Sequence, residues 1–456
     1  VPCRAHHAMT TALPVRTRRT LPALALALTA TLLAACSGTA DGADAATPAP
    51  TADATTTAAP VERATAITRL AVTYDGGVLV LDGSSLDVVA DLPADGYLRV
   101  NPAGDNRHVL VSTAAGFQVL DAATWGQAHG DHAHFYTSDP RLTDVTYPAE
   151  KPGHAVVHDG RTALFADGTG EVTVVDSAHV GDGPSDDART YTTPHAHHGV
   201  AVELHDGTLV VSEGTEDART GVRALDAEGT ETAAIDTCPG VHGESVAQGD
   251  VVAIGCQDGV VLFKDGAFTK VQSPDVYGRV GNQAGSEESP VVLGDYKVDK
   301  DAELERPTRV SLVDTRTATM TLVDLPASYT FRSLARGDHG EAIVLGTDGA
   351  LHVIDPESGA VVRSMPVVAP WEEPTEWQTP RPAVKVHAGT AYVTDPATRS
   401  IHAVDVETGE VYRSVTLDVV PDEVALATGE ALAAHDHADD AGHETHDGHE
   451  DDGHDH

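Results

Sequence analysis

Short apolar runs that end in aspartate recur along the chain, at 78–82 (VLVLD), 117–121 (FQVLD), 172–176 (VTVVD), 222–226 (VRALD), 310–314 (VSLVD), 351–355 (LHVID) and 401–405 (IHAVD). The segment 260–265 (VVLFKD) is a looser eighth member. Their spacing of 39 to 55 residues matches the four-stranded unit of a propeller blade. Each run follows another apolar stretch and a Gly or Asp turn, as in 162–170 (TALFADGTG). A polar turn and one more extended stretch usually come next, as in 355–363 (DPESGAVVR). The repeated run therefore reads as the third of four strands. The first unit begins too late to contain its own innermost strand, and a spare strand near 422–427 can pair back to close the ring. The pattern predicts an all-β fold over 65–430, an eight-bladed β-propeller, with seven blades as the alternative if one weak unit is not a full blade.

Outside that region the pattern changes. From Met9 the chain reads as an export signal, with Arg16, Arg18 and Arg19 ahead of an apolar run at 21–35. That run is too short to span a bilayer comfortably and carries the charge order of a signal peptide. Residues before Met9 read as an upstream extension. The run ends in LAACSG (33–38), which resembles a bacterial lipobox and makes Cys36 the lipidated first residue of the mature protein. Residues 36–64 are mostly Thr, Ala, Pro, Asp and Gly, a composition that buries no core and predicts a flexible tether. The expected location is extracytoplasmic, at the cell surface, anchored to the cell membrane by lipid alone.

Charge narrows the partners. The formal net charge is −41, and removing residues 1–35, which hold four arginines and no acid, takes it to −45. Such a surface argues against nucleic acid and anionic membranes and favours cations. The segment 431–456 sharpens the point. It interleaves His435, His437, His443, His446, His449, His454 and His456 with nine acidic residues. It has almost nothing apolar to fold around, so it reads as a disordered, low-affinity metal-gathering tail.

Within the repeat, His154 (PGHAVV), His198 (HHGVAV) and His242 (HGESVA) stand where the innermost strands of consecutive blades should begin, 44 residues apart in both steps. Three imidazoles converging from neighbouring blades, with a carboxylate or water, can complete a zinc tetrahedron. Glu203, Glu244 and Asp167 are the candidate fourth ligands or outer acceptors. A denser constellation comprises His129, Asp131, His132 and His134 (HGDHAH) together with His195 and His197 (HAHH). Alternate residues of an extended strand face one side, so each segment presents a histidine pair. The first segment follows a third strand, which by simple topology puts it on the opposite face from His195. His158, His205, His339, His352, His387 and His402 fall in turns or third strands and read as structural or solvated.

Cys238 and Cys256 are the cysteines left within the repeat region. An oxidising compartment favours a disulfide between them, and their spacing fits neighbouring strands of one blade. A Cys₂His₂ zinc site is the competing arrangement.

The stretches 151–176 (KPGHAVVHDGRTALFADGTGEVTVVD), 194–203 (PHAHHGVAVE) and 238–263 (CPGVHGESVAQGDVVAIGCQDGVVLF) resemble the AztD-type zinc metallochaperones, extracytoplasmic β-propellers associated with zinc-specific ABC transport. The resemblance runs from about residue 65 to 430 and is best over 125–265. It implies two zinc sites, drawn here from His154, His198 and His242 and from the HGDHAH and HAHH clusters. It also implies zinc as the cargo and the solute-binding protein of a zinc ABC transporter as the partner. The expectation is thus a monomeric zinc metallochaperone, not an enzyme. The alternatives are a propeller lyase or dehydrogenase, or a protein-docking propeller whose histidines are incidental. No paired catalytic carboxylates or nucleophile with a base favour the enzyme. Binding should weaken as the histidines protonate near pH 6 or below.

Overall fold

The computed structural model describes residues 59–432 apart from residue 187; the signal segment, Cys36 and the tail histidines lie outside the described residues. Each repeated run forms the third strand of an antiparallel sheet, as in Gly77–Asp82, Glu171–Asp176 and Ser400–Asp405. These strands are almost continuously apolar because each sheet is covered on both faces by its neighbours. The outermost strands alternate, as Val88–Pro93 does, because one face meets solvent.

The terminal aspartate of the repeat has a local cause. Its carboxylate accepts backbone N–H groups two to four residues on, closing the turn into the fourth strand. Asp82 takes Ser84 and Ser85, Asp226 takes Glu228 and Thr230, Asp355 takes Ser358, and Asp405 takes Thr408.

Eight such sheets of four or more strands follow one another among the described residues. The innermost strand of the first sheet is Val424–Ala427, which pairs antiparallel with Arg69–Tyr74. Apolar clusters fill the space between neighbouring sheets. Val202, Val210 and Val222 of the fourth sheet meet Val252, Ile254 and Val261 of the fifth. Leu70, Val72 and Leu79 of the first meet Tyr392, Ile401 and Ala403 of the eighth. The molecule is the all-β propeller that the repeat implies, and no helix among the described residues is long and apolar enough to cross a membrane.

One feature departs from the repeat. In the second sheet the third strand, Gly116–Asp121, pairs with Arg141–Pro148 as its outer neighbour. The hairpin Thr124–His129 and His132–Thr137 is inserted between them in sequence. Val61–Arg63 pairs with that hairpin through Val61 opposite Thr137 and Arg63 opposite Phe135. These three residues fall inside the expected tether 36–64. They form a strand because Val-Glu-Arg breaks the Thr/Ala/Pro run and finds an open edge to pair with.

Candidate metal centres

His154 lies in the first strand of the third sheet, Pro152–His158, where the register shifts between Pro152 and Ala155. Such a bulge re-aims a side chain. His198 leads into Ala201–Glu203 of the fourth sheet, and His242 into Glu244–Ala247 of the fifth. The three rings gather, with centroids 5.1 Å apart for His154–His198, 5.9 Å for His154–His242 and 5.1 Å for His198–His242. One ligand atom from each lies within 4.8 Å of the other two.

Each ring is fixed through the same nitrogen. Nδ1 of His154 donates to Glu244 Oε1 (3.1 Å), Nδ1 of His198 to Asp167 Oδ2 (2.6 Å), and Nδ1 of His242 to the Gly281 carbonyl (2.6 Å). With Nδ1 as donor, each neutral imidazole keeps its lone pair on Nε2, the arrangement that outer partners impose on metal-bound histidines. Gly153 belongs to this device. A β-carbon there would collide with the Asp167 carboxylate, so only glycine lets Asp167 reach His198. The Cys238–Cys256 disulfide joins the loop before His242 to the second strand of the same sheet, and the His242 N–H bonds the Gly255 carbonyl at 3.1 Å.

Electrostatics divide the three rings. Burial opposes a charge on His154, yet the Glu244 carboxylate prevails and raises its pKa. Burial pushes His242 well below the ordinary histidine value, and the positive charges of His154 and Arg279 add to the effect. The other Glu244 oxygen, Oε2, makes no conventional hydrogen bond but lies 3.0 Å from the same His154 Nδ1. Three directed imidazoles suit zinc. Gln283, whose side-chain nitrogen and oxygen are also buried without partners, packs beside Gly243 and Gly255. Neither the Gly281 carbonyl nor Gln283 carries a signal that sequence reasoning registers. Glu203, by contrast, is turned away from this site and bonds Arg189 at 2.8 Å.

The second group is His129, His132 and His134, at the end of the inserted hairpin. His132 Nδ1 donates to Asp131 Oδ1 (3.2 Å) and His134 Nδ1 to Glu62 Oε1 (2.9 Å). Their Nε2 atoms then face each other at 3.3 Å, and His129 Nδ1 stands 3.4 Å from His132 Nε2. Lone pairs that close repel unless a cation lies between them. A tetrahedral zinc with nitrogens at about 2.0–2.1 Å has edges of roughly 3.3 Å, so the spacing fits. These side chains are exposed, His132 at 54% and His134 at 40%.

The HAHH pair does not join the hairpin group. His197 is 2% exposed and packs against Phe165 at 5.3 Å. Its Nδ1 donates to the His195 carbonyl (2.9 Å) and its Nε2 meets Ser212 Oγ (3.0 Å), so both nitrogens are spent. Burial lowers its pKa. The histidines of HGDHAH and HAHH therefore do not form one constellation; His197 is consumed by the core, and His195 is exposed outside both metal groups. The histidines read as structural have local partners, among them Asp250 for His158, Asp159 for His205 and Ser364 for His352.

No family model matches the chain. A curated relative, the zinc chaperone AztD of Citrobacter koseri, is 27% identical over 328 residues, covering 70% of this chain and 75% of its own length. That relative is named as a chaperone, not an enzyme. The crystal structure of Citrobacter koseri AztD superposes with a TM-score of 0.69 at 24% identity, covering 81% of this chain and all of that one. An apo form of the same protein gives 0.67 at 24% identity, over 79% and 98% of the two chains. The structural likeness carries the propeller fold and the sequence likeness carries the relationship: the chain resembles the AztD-type zinc chaperones beyond the motifs that first pointed to them.

Proposed function

We propose that the protein is a zinc metallochaperone that captures zinc outside the cytoplasm and transfers it to the solute-binding protein of a zinc ABC transporter. The observation that carries this reading is the inter-sheet triad, in which His154, His198 and His242 each have Nδ1 engaged and Nε2 left for a metal. The relationship to a zinc chaperone supports zinc as the cargo. The acidic surface supports attraction of cations, with a formal charge of −41. The lipid on Cys36 would keep the protein at the cell surface, beside a membrane transporter.

Capture needs neutral rings, and burial supplies that at His242. Release needs ligands that can be replaced one at a time. Imidazoles are neutral and exchangeable, unlike a closed cage of thiolates, so an incoming ligand from a docked acceptor can displace them in turn.

The test is a transfer assay. Zinc-loaded protein is mixed with the apo solute-binding protein of the transporter while a chelator scavenges free zinc. Direct hand-off predicts that the acceptor fills despite the chelator, at a rate that rises with acceptor concentration. Filling that stops with the chelator, at a rate fixed by zinc dissociation, contradicts transfer and leaves storage.

A further inference from the structure

The innermost strands of a propeller ring a central channel, and one mouth of that channel has two unlike halves. His154, His198 and His242 stand at or just before the start of the innermost strands of the third, fourth and fifth sheets. Elsewhere around the ring the corresponding positions carry cations. Arg99 begins the innermost strand of the second sheet, Arg332 leads into Leu334–Arg336 of the seventh, and Lys385 lies in Val384–His387 of the eighth. Together with Asn101, Asn282 and Glu423 they line a cavity of about 140 Å³. In a chain with 70 acidic and 29 basic residues, three cations on one small cavity call for a reason.

The carboxylates beside them are already engaged. Glu423 Oε1 accepts from Arg332 Nη2 (3.0 Å) and Arg99 Nε (3.4 Å), and its Oε2 accepts from the Val100 N–H (3.3 Å). Asp422 accepts from Arg332 Nη1. Two carboxylates against three cations leave one positive charge over. The Arg332 side chain is 6% exposed, and its Nε is buried with no hydrogen-bond partner. Val384 and Val386 pack between the seventh and eighth sheets, so Lys385 projects from the opposite face of its strand toward the cavity. Burial there lowers the Lys385 pKa, against the pull of Glu423, and its ammonium has no hydrogen bond or ion pair among the described residues. A buried donor without an acceptor is costly unless a ligand meets it.

The cavity adjoins the zinc triad on two sides. The charge of Arg99 is felt at His154, behind the larger effects of burial and Glu244. Asn282 follows Gly281, whose carbonyl holds His242 Nδ1. The volume is below the roughly 300–1,000 Å³ of pockets for drug-sized ligands, so the ligand is small. Guanidinium and ammonium donors suit an oxyanion, and a single uncompensated charge matches a carboxylate better than a doubly charged phosphate.

We propose that this cavity is a carboxylate seat, in which Arg99, Arg332 and Lys385 hold a small carboxylate beside the histidine triad, and that the carboxylate and zinc bind cooperatively. This rests on the zinc reading of the triad and adds a second ligand to it. Zinc on three neutral imidazoles keeps its double charge, so ion and anion attract, and by linkage each raises the other's affinity by the same factor. The carboxylate is either a free acid or an Asp or Glu side chain of a docked acceptor. In the second case its arrival brings zinc an oxygen ligand at the moment of transfer.

The experiment uses the full chain, with succinate as the free carboxylate and Lys385→Met as the variant. The lysine leaves no ion-pair partner behind, so urea stability should hold. Calorimetry reads succinate binding without and with zinc, and chelator competition at matched free zinc reads zinc affinity without and with succinate. The expected result is one succinate per chain, bound about tenfold more tightly with zinc. Zinc affinity should rise by the same factor, and both effects should disappear in Lys385→Met. If succinate has no effect but Lys385→Met slows transfer to the apo solute-binding protein about tenfold at unchanged zinc affinity, the carboxylate belongs to the acceptor. Succinate binding that Lys385→Met leaves unchanged overturns the proposal. Retained zinc that responds neither to succinate nor to Lys385→Met, in affinity or in transfer, overturns the seat alone. Lys385-dependent succinate binding in a protein that retains no zinc leaves the seat standing while the zinc reading fails.

Discussion

The inter-sheet triad draws its imidazoles from three sheets and locks each through a carboxylate or carbonyl that belongs to the surrounding frame. The hairpin triad draws all three from six residues of one exposed loop, and two of its rings are steered by Asp131 and Glu62. In the first, moving any ring means breaking its Nδ1 bond to the frame. The second can bend with its hairpin. Ligands held in place bind a metal tightly at little entropic cost, whereas ligands on an exposed loop exchange readily. On the proposed function, the first site is the one to retain zinc and the second the one to exchange it.

Substitution of the ligands gives the largest separation. Changing His154, His198 or His242 to alanine should weaken the tightest zinc by about a hundredfold or more, above the loss typical of outer partners. Metal analysis after dialysis should then find one ion fewer. The same change at His132 should leave the tightest ion in place and remove a weaker one. Equal effects at both triads would break the distinction.

The outer partners come next. Asp167→Asn should cost about 10–100-fold in affinity at the inter-sheet site, because an amide in place of the carboxylate weakens the acceptor for His198 Nδ1–H. Calorimetric titration checks this, and Glu62→Gln should have a smaller effect, confined to the weaker ion.

Acid should also act on the inter-sheet site in a defined way. His154 has a raised pKa, so a proton competes with zinc there at a higher pH than for an ordinary histidine, about 6.5. His242 is pushed well below the ordinary value by burial, so a proton competes there only at lower pH. Affinity should therefore begin to fall above that ordinary value as the pH is lowered. Glu244→Gln removes the charge that raises the His154 pKa, so the onset should move to lower pH. A pH series of chelator competition reads both.

The smallest effect on zinc should come from His197→Ala. It removes one of the two hydrogen bonds made by the His195 carbonyl and by the Ser212 hydroxyl and strips the ring that packs on Phe165, costing about 1–3 kcal/mol of stability. Urea denaturation should show that loss while zinc stoichiometry is unchanged.

What could be read from the sequence follows from which signals are local. The repeat was legible because each third strand is buried on both faces and closes its turn on its own aspartate, so pattern and cause lie within a few residues. The inter-sheet histidines were legible because equal blade lengths put His154, His198 and His242 in register. Their partners were less so. Asp167 and Glu244 could be nominated, but Glu203 looked equivalent, and only the fold shows that Arg189 takes it. The Gly281 carbonyl has no residue-type signature. His197 misled because its neighbours spell a metal motif, while its burial against Phe165 is a tertiary fact. The hairpin's place between the third and fourth strands of its sheet, with a strand from the tether beside it, depends on pairing across more than seventy residues. No local pattern encodes that.

Anomalous diffraction at the zinc edge, on crystals of the zinc-loaded full chain, tests the central claim most directly. The account predicts a peak among His154, His198 and His242, bonded through Nε2, with each Nδ1 still on Glu244, Asp167 or Gly281. A strong peak elsewhere with none at this triad, or ligation through Nδ1 with those bonds broken, would contradict it.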